Sequence, residues 1–312
     1  MNGKLSRRAW LAGTSTLIGA GLAGPVAAKD RPREEPFGYC LNTSTIMGQK
    51  LTLVEQVEVA AKAGYQGIEP WISDIDQHVK RGGRLKDVKK HIRDSGLSVE
   101  SAIGFSEWIV DDDDRRKKGL EDARRTMDLV RQIGGKRIAA PPAGATNQAG
   151  MNLLKVAERY RALLDLGQRF GLVAELEVWG FSRVLGRLGE TAYVAMESNH
   201  PRACLLPDVF HLYKGGSGLN GLRLLSGEAF HVIHVNDYPA KPSRALITDA
   251  QRVYPGDGVA PLKSILRDLR AIGFRGMLSL ELFNRDYWKQ DPLVVARTGL
   301  EKMRSLVRAS GQ

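Results

Sequence analysis

The sequence predicts a single α/β domain, a (β/α)8 barrel, and three observations point there. From Phe37 onward one pattern recurs: a helix ends at a glycine, a short apolar strand follows, then a polar loop. The glycines at 64, 96, 134 and 171 mark these junctions roughly every 35 residues, the length of one strand-and-helix unit. Eight candidate strands alternate with helices without a long break, which favours a closed barrel over an open sheet. No G-x-G-x-x-G opens a helix after the first strand, so a dinucleotide-binding open sheet does not fit.

Taken in order, the chain begins with a segment set apart from the fold. Ser6-Arg7-Arg8-Ala9-Trp10-Leu11 is a twin-arginine pattern, followed by a weakly apolar run that ends in Val26-Ala27-Ala28. Residues 1–28 therefore read as a twin-arginine signal peptide, with a periplasmic or otherwise exported protein as the expectation. The run is too short and weak to serve as a stable membrane anchor. Residues 29–36 form a polar, proline-flanked lead-in, and 37–312 the barrel. The strands fall near 37–43, 67–71, 97–103, 136–141, 172–178, 203–208, 231–236 and 277–282. Glycines just past the helices suit the left-handed backbone at a helix end. Thr52-Leu-Val-Glu55 is a capping box opening a helix to Ala63. Asp111 to Asp114 favour the positive end of a long helix reaching Ile133, and Pro292 to Ala309 is the closing helix.

The chain carries 46 Lys and Arg against 35 Asp and Glu, a formal charge of +11. The basic residues are scattered along helices, with no basic run beside aromatics, so they read as solvated helix faces and not a nucleic-acid surface. Cys40 and Cys204 lie on different strands far apart in sequence, and nothing in their spacing demands a disulfide. Self-association into a homo-oligomer is left open.

Chemistry in a barrel of this kind sits at the C-terminal strand ends. Strand five ends on Glu177, and strand six on Asp208 with His211 three residues later. Strand seven carries His234, and strand eight ends on Glu281. Alternation puts His234 on one face with Val232 and Asn236, and turns Leu278 and Leu280 outward so that Ser279 and Glu281 face in. Glu177, Asp208, His234 and Glu281 form a hard, mostly oxygen donor set for one divalent ion: Mn, Mg or Co, with Zn also suited. Glu175, one layer down, reads as a structural acid paired with a basic residue of strand four. Trp71, Trp108, Trp179 and Phe210 are candidates for an apolar wall, against core packing as the plainer role.

The pattern Leu176-Glu177, Asp208-Val-Phe-His211, His234-Val-Asn-Asp237, Pro255-Gly-Asp-Gly258 and Leu280-Glu281 resembles the xylose isomerase-like TIM barrel superfamily, which includes sugar isomerases and epimerases. The resemblance spans the barrel and is most specific from Gly171 onward. It implies that Glu177, Asp208, His234 and Glu281 bind one divalent metal, and that Glu177 and Glu281 act as acid and base on opposite sides of the substrate. It also implies that Glu69, His211 and Arg252 contact substrate oxygens. Arg183 and Ala240 stand where ketose 3-epimerases carry a second glutamate and an arginine, so these two positions do not follow that branch.

The function expected is a metal-dependent sugar isomerase or epimerase that removes the proton next to a carbonyl and passes through an enediolate. An enolate-type lyase on keto-glycosides is the alternative within the enzyme class. A non-catalytic sugar-binding barrel is the alternative outside it. A nuclease similar to endonuclease IV fits least, because His78, His91, His200 and His231 do not form the extra ligand set it needs.

Overall fold

Among the described residues, short apolar runs form eight parallel strands: β1 (Gly38–Asn42), β2 (Gly67–Glu69), β3 (Ser98–Val99), β4 (Arg137–Ala140), β5 (Val173–Glu177), β6 (Leu205–Leu206), β7 (Val232–Val235) and β8 (Met277–Leu280). The structure, a computed structural model, describes residues 35–311. The expected signal peptide, residues 1–28, lies outside the described residues.

Two ladders, β3-β2-β1-β8-β7 and β4-β5-β6, make up the wall. Isolated bridges join Leu205 to Phe230 and Asp208 to His234, which links β6 to β7. On the other side, the Ala139 N–H donates to the Ala102 carbonyl at 2.9 Å and links β4 to the end of β3. The sheet thus closes on itself as a TIM barrel, and closure leaves no open edge.

β3 and β6 are shorter than the sequence suggests, and two prolines explain it. Pro70 and Pro207 lack an N–H and interrupt regular pairing beside these strands. Pairing resumes beyond them, with Ile103 N–H on the Pro70 carbonyl (3.0 Å) and His234 N–H on the Pro207 carbonyl (3.0 Å).

Among the described residues, nine α-helices accompany the strands: α1 (Leu53–Ala63), α2 (Ile72–Lys80), α3 (Leu85–Asp94), α4 (Asp113–Gln132), α5 (Leu153–Phe170), α6 (Leu188–Glu197), α7 (Val209–Lys214), α8 (Leu262–Ala271) and α9 (Pro292–Ala309). α1 opens on the Thr52–Glu55 capping box and closes on left-handed Gly64. The acidic run before α4 is accounted for locally. Asp112 caps the helix, Asp111 pairs with Arg159, and Asp113 pairs with Arg116. None of the described helices is long and apolar enough to cross a membrane. Cys40 and Cys204 are both free and buried.

Strand alternation sorts side chains as expected. Outward residues such as Leu41, Leu278 and Leu280 join the main core under the helices. Inward, Ile103, Ala139, Leu206 and Val232 plug the barrel as a small second core. Polar residues collect above that plug, at the C-terminal ends of the strands.

Candidate active site

His234 is the centre of the polar layer, and its two ring nitrogens face different surroundings. Nε2 lies 3.0 Å from Glu69 Oε2. Nδ1 is fully buried and makes no well-aligned hydrogen bond. It looks toward three carboxylates: Glu281 Oε2 at 3.3 Å, Asp208 Oδ2 at 3.7 Å and Glu177 Oε1 at 3.9 Å. Asp208, His234 and Glu281 each bring one donor atom within 4.8 Å of the others. Parallel register makes the cluster possible, because Glu177 and Asp208 end neighbouring strands and Asp208 bridges directly to His234.

Electrostatics distort every member. Burial pushes Glu177 well above the usual carboxylate range, with His234 opposing and Glu281 and Asp208 adding to the rise. Burial also raises Glu281, against His234 and Arg252. Burial works on Asp208 in the same sense, but Arg252, His211 and His234 overcome it and hold the carboxyl low. For His234 burial disfavours the charged ring, yet Glu281 and Glu69 outweigh it and raise the imidazole. Buried carboxylates crowded around an imidazole nitrogen make a donor set that suits a hard divalent cation, whose charge would relieve their repulsion. Glu177, whose Oε2 is buried and makes no hydrogen bond, stands beside the group of Asp208, His234 and Glu281 with its Oε1 3.9 Å from His234 Nδ1.

Arg252, only 1% exposed, is the cluster's fixed cation. Its Nη1 donates to Asp208 Oδ2 at 2.7 Å and to Glu281 Oε2 at 2.8 Å. Nη2 donates to Asp249 at 2.6 Å and lies 3.2 Å from His211 Nε2. Its guanidinium stacks over Phe210 and Phe283. Burial, against the pull of Asp208, lowers the His211 imidazole to about 4, so it is neutral near pH 7. Asp237 organises the approach of this arginine. Its carboxylate accepts the N–H groups of Gly256, Gly258 and Ala260. A Cβ on Gly258 would sit 2.3 Å from Asp237 Oδ1, so glycine is required there.

Glu69 sits behind His234 and is fully buried. Its Oε2 accepts from Asn42 Nδ2 (3.0 Å) and Ser279 Oγ (2.8 Å) as well as facing His234. It lies outside the lining of the cavity above the cluster, whereas His211 and Arg252 are in it. That cavity is about 220 Å³ and includes Trp71, Phe105, Glu177, Trp179, Phe181, Glu281 and Phe283 in its lining. Of the four aromatics expected as a wall, Trp71 and Trp179 line it. Trp108 is instead a core residue donating to the Pro141 carbonyl, and Phe210 is buried beneath Arg252. Glu175 lies below with Arg137 of β4 at 4.0 Å, and burial raises its carboxyl to about 8 against that arginine.

Several participants carried little sequence signal. Asn42, in register with Glu69, donates to both Glu69 and Glu281 and ties β1 to β8. Asn236 donates to Asp208 Oδ2 at 2.9 Å. Position at a strand end was the available clue for Asn42, and parity with His234 for Asn236. Phe105, Phe181 and Phe283 come from loops whose course the sequence does not show.

Fold and cluster together define a TIM barrel with a carboxylate-imidazole cage at the C-terminal end of its strands. The chain belongs to the xylose isomerase-like TIM barrel family, whose model matches residues 57–306. An inosose isomerase of Bacillus velezensis is 25% identical over 278 residues, spanning 86% of this chain and 96% of its own. A 3-dehydroshikimate dehydratase of Pseudomonas putida is 25% identical over 234 residues, covering 75% of this chain and 36% of that protein. Among solved structures, the IolI protein with a bound zinc atom matches with a TM-score of 0.81 at 20% identity, covering 88% of this chain and 99% of that one.

Proposed function

We propose that the protein is a divalent-metal-dependent carbohydrate isomerase or epimerase that works by proton transfer at the carbon beside a carbonyl. The observation that carries this reading is the geometry around His234 Nδ1, a buried nitrogen that faces Glu177, Asp208 and Glu281 at 3.3–3.9 Å. The inosose isomerase likeness supports the reaction class, and the zinc in the structurally similar IolI protein agrees with the donor set. Glu177, Asp208, His234 and Glu281 would hold one ion, of Mn, Co, Mg or Zn. When bound, it supplies Lewis acidity toward a carbonyl and its neighbouring hydroxyl.

Glu177 and Glu281 are the acid-base pair in this scheme. They end strands that are not adjacent, so they approach a substrate from different directions. Burial lifts both carboxyls above the usual carboxylate range, against the charge a bound ion would bring. One glutamate takes the proton, and the enediolate is reprotonated either at the next carbon or from the other face. The first outcome is isomerisation and the second epimerisation. Neutral His211, whose Nδ1 has no partner in the protein, can face a substrate oxygen from the cavity floor, and Arg252, its N–H groups spent on Asp208, Glu281, Asp249 and His211, adds positive charge there. Glu69 acts as a positioning residue, because its place behind His234 suits orienting the ring and not touching the substrate.

A lyase reading is favoured by one observation, the dehydratase likeness. A leaving group on the next carbon would be expelled from the same enolate. Incubation of the metal-loaded protein with candidate keto-sugars in D2O tests both. Deuterium at the carbon beside the carbonyl supports proton transfer, and an unsaturated product marks the lyase. Metal-loaded protein that exchanges no proton in any keto-sugar contradicts both.

The twin-arginine pattern at Arg7-Arg8 supports export as part of this proposal, with a free sugar or glycoside as substrate. Mass analysis of the protein recovered from cell envelope fractions would show an N-terminus at Lys29. A full-length chain confined to the cytoplasm would contradict it.

A further inference from the structure

The cavity divides sharply into two surfaces. Its polar side chains, Glu177, Glu281, His211, Arg252 and Asp249, are gathered at the cage end. The first four are no more than 4% exposed. The remaining lining residues are Ile103 and five aromatics, whose only polar groups are the indole N–H of Trp71 and of Trp179. The aromatics run as a continuous collar. Phe283 meets Trp71 (5.9 Å between centroids), Trp71 meets Phe105 (5.2 Å), Phe105 meets Trp179 (5.9 Å), and Trp179 meets Phe181 (5.1 Å). Phe181 closes the collar against His211 at 5.5 Å. The Trp71 indole N–H is already spent on Asn42 Oδ1, so it offers no donor to the cavity.

Two collar members are unusual. Phe105 is 43% exposed and Phe181 47%, in a site whose floor residues are buried. Exposed aromatics at a cavity mouth leave apolar area uncovered that a ligand would bury. The space inside, about 220 Å³, is smaller than a typical small-molecule pocket of roughly 300–1,000 Å³. It suits one ring and not an extended chain. Hydroxyls pointed at Phe105, Phe181 and Phe283 would lose water without gaining partners, which penalises an open-chain polyol with oxygens on all sides.

We propose that the substrate of this site is ring-closed, with a ring ketone and its neighbouring hydroxyl along one edge, and carries a flat apolar substituent that rests on Phe105 and Phe181 at the mouth: a keto-glycoside of an apolar aglycone, of which plain glycosides are non-reacting analogues. This rests on the isomerase, epimerase or lyase reading above and narrows its substrate class. The ring's C–H face lies on Trp71 and Trp179, its oxygens meet the floor, and the aglycone covers the exposed rim. Phe105 and Phe181 are then specificity-determining residues.

The test compares phenyl and methyl β-D-glucopyranoside as ligands of the metal-loaded protein, by calorimetry and by quenching of tryptophan fluorescence. Phenyl glycoside should bind about tenfold more tightly than methyl, from two ring contacts. In Phe105→Ala/Phe181→Ala that ratio should fall below about threefold, chiefly through weaker binding of the phenyl glycoside. A wild-type ratio near one, a ratio unchanged in the double variant, or binding of neither glycoside would overturn the proposal. Metal content of the same samples separates the two levels of the argument. Metal-loaded protein without the phenyl preference sinks the substrate class alone, and protein that takes up no metal sinks the underlying reading with it.

Discussion

Glu69→Gln isolates one role in the cage without touching a cavity wall. The Glu69 Oε2 receives Asn42, Ser279 and the His234 Nε2 at 2.8–3.0 Å. In a neutral ring, a carboxylate at Nε2 keeps the proton there and leaves the Nδ1 lone pair for a metal. Glutamine preserves the shape and an oxygen acceptor but removes the charge that makes the ring a stronger ligand. Outer-shell changes of this kind cost about 10–100-fold in metal affinity, or about 1.4–2.8 kcal/mol. Calorimetric titration of Mn or Zn into chelator-stripped protein reads that change, with circular dichroism confirming the fold. Histidine nitrogen NMR of the metal-loaded protein should show the proton on Nε2 in the wild type. An affinity within twofold of the wild type, in folded Glu69→Gln protein, would refute the assignment of Glu69 to positioning.

Other outcomes follow from the same geometry. Glu177→Gln and Glu281→Gln should each lower proton exchange beside the carbonyl by at least about 100-fold. Exchange measured by NMR at wild-type levels in either would remove that residue from the acid-base pair. Arg252→Met strips the counter-charge from buried Asp208 and Glu281. Breaking a buried ion pair costs about 3–5 kcal/mol, which lowers Tm by at least about 6 °C in chelator and less with metal bound. An unchanged Tm in chelator would show that the guanidinium is not needed there. His231, at the opposite end of β7, gives a separate pH signature. Burial, then Arg137 and Arg202, lower its imidazole to about 4. A folded-state value below the unfolded one means stability present above pH 6.5 and lost as pH falls toward 4. After discount for partial exposure, about 1–2 kcal/mol should disappear over that range. In His231→Gln, melted in chelator, that part of the acid loss should vanish, and an identical pH profile would contradict it.

The barrel was legible because its information is periodic. Glycine-ended helices and alternating strands name eight units before any coordinate is seen, and the capping box at Thr52 and the closing helix from Pro292 appear where the residues place them. The cluster was legible for a related reason. Parity fixes which strand residues point inward, so Glu177, Asp208, His234 and Glu281 converge once the sheet closes. What parity cannot supply is depth. Glu69 and Glu281 both end inward-facing positions, yet Glu69 lies behind the imidazole and Glu281 in the cavity lining. Loop residues were less legible still. Trp108 and Trp179 look alike in sequence, but one turns into the core and the other into the cavity, because long-range packing decides the path of each loop. Arg252 was found through its neighbouring turn. The Asp237 carboxylate that holds that turn was recognisable only as part of a motif, without its hydrogen-bond role.

The most direct test of the account is metal content. Purified protein should carry about one divalent ion per chain after reloading with Mn, Co, Mg or Zn, measured by elemental analysis beside Glu281→Ala. The account predicts one ion in the wild type and its loss in the variant, with both proteins folded. No uptake of any of the four ions by the wild type, or about three zinc ions per chain, would contradict it.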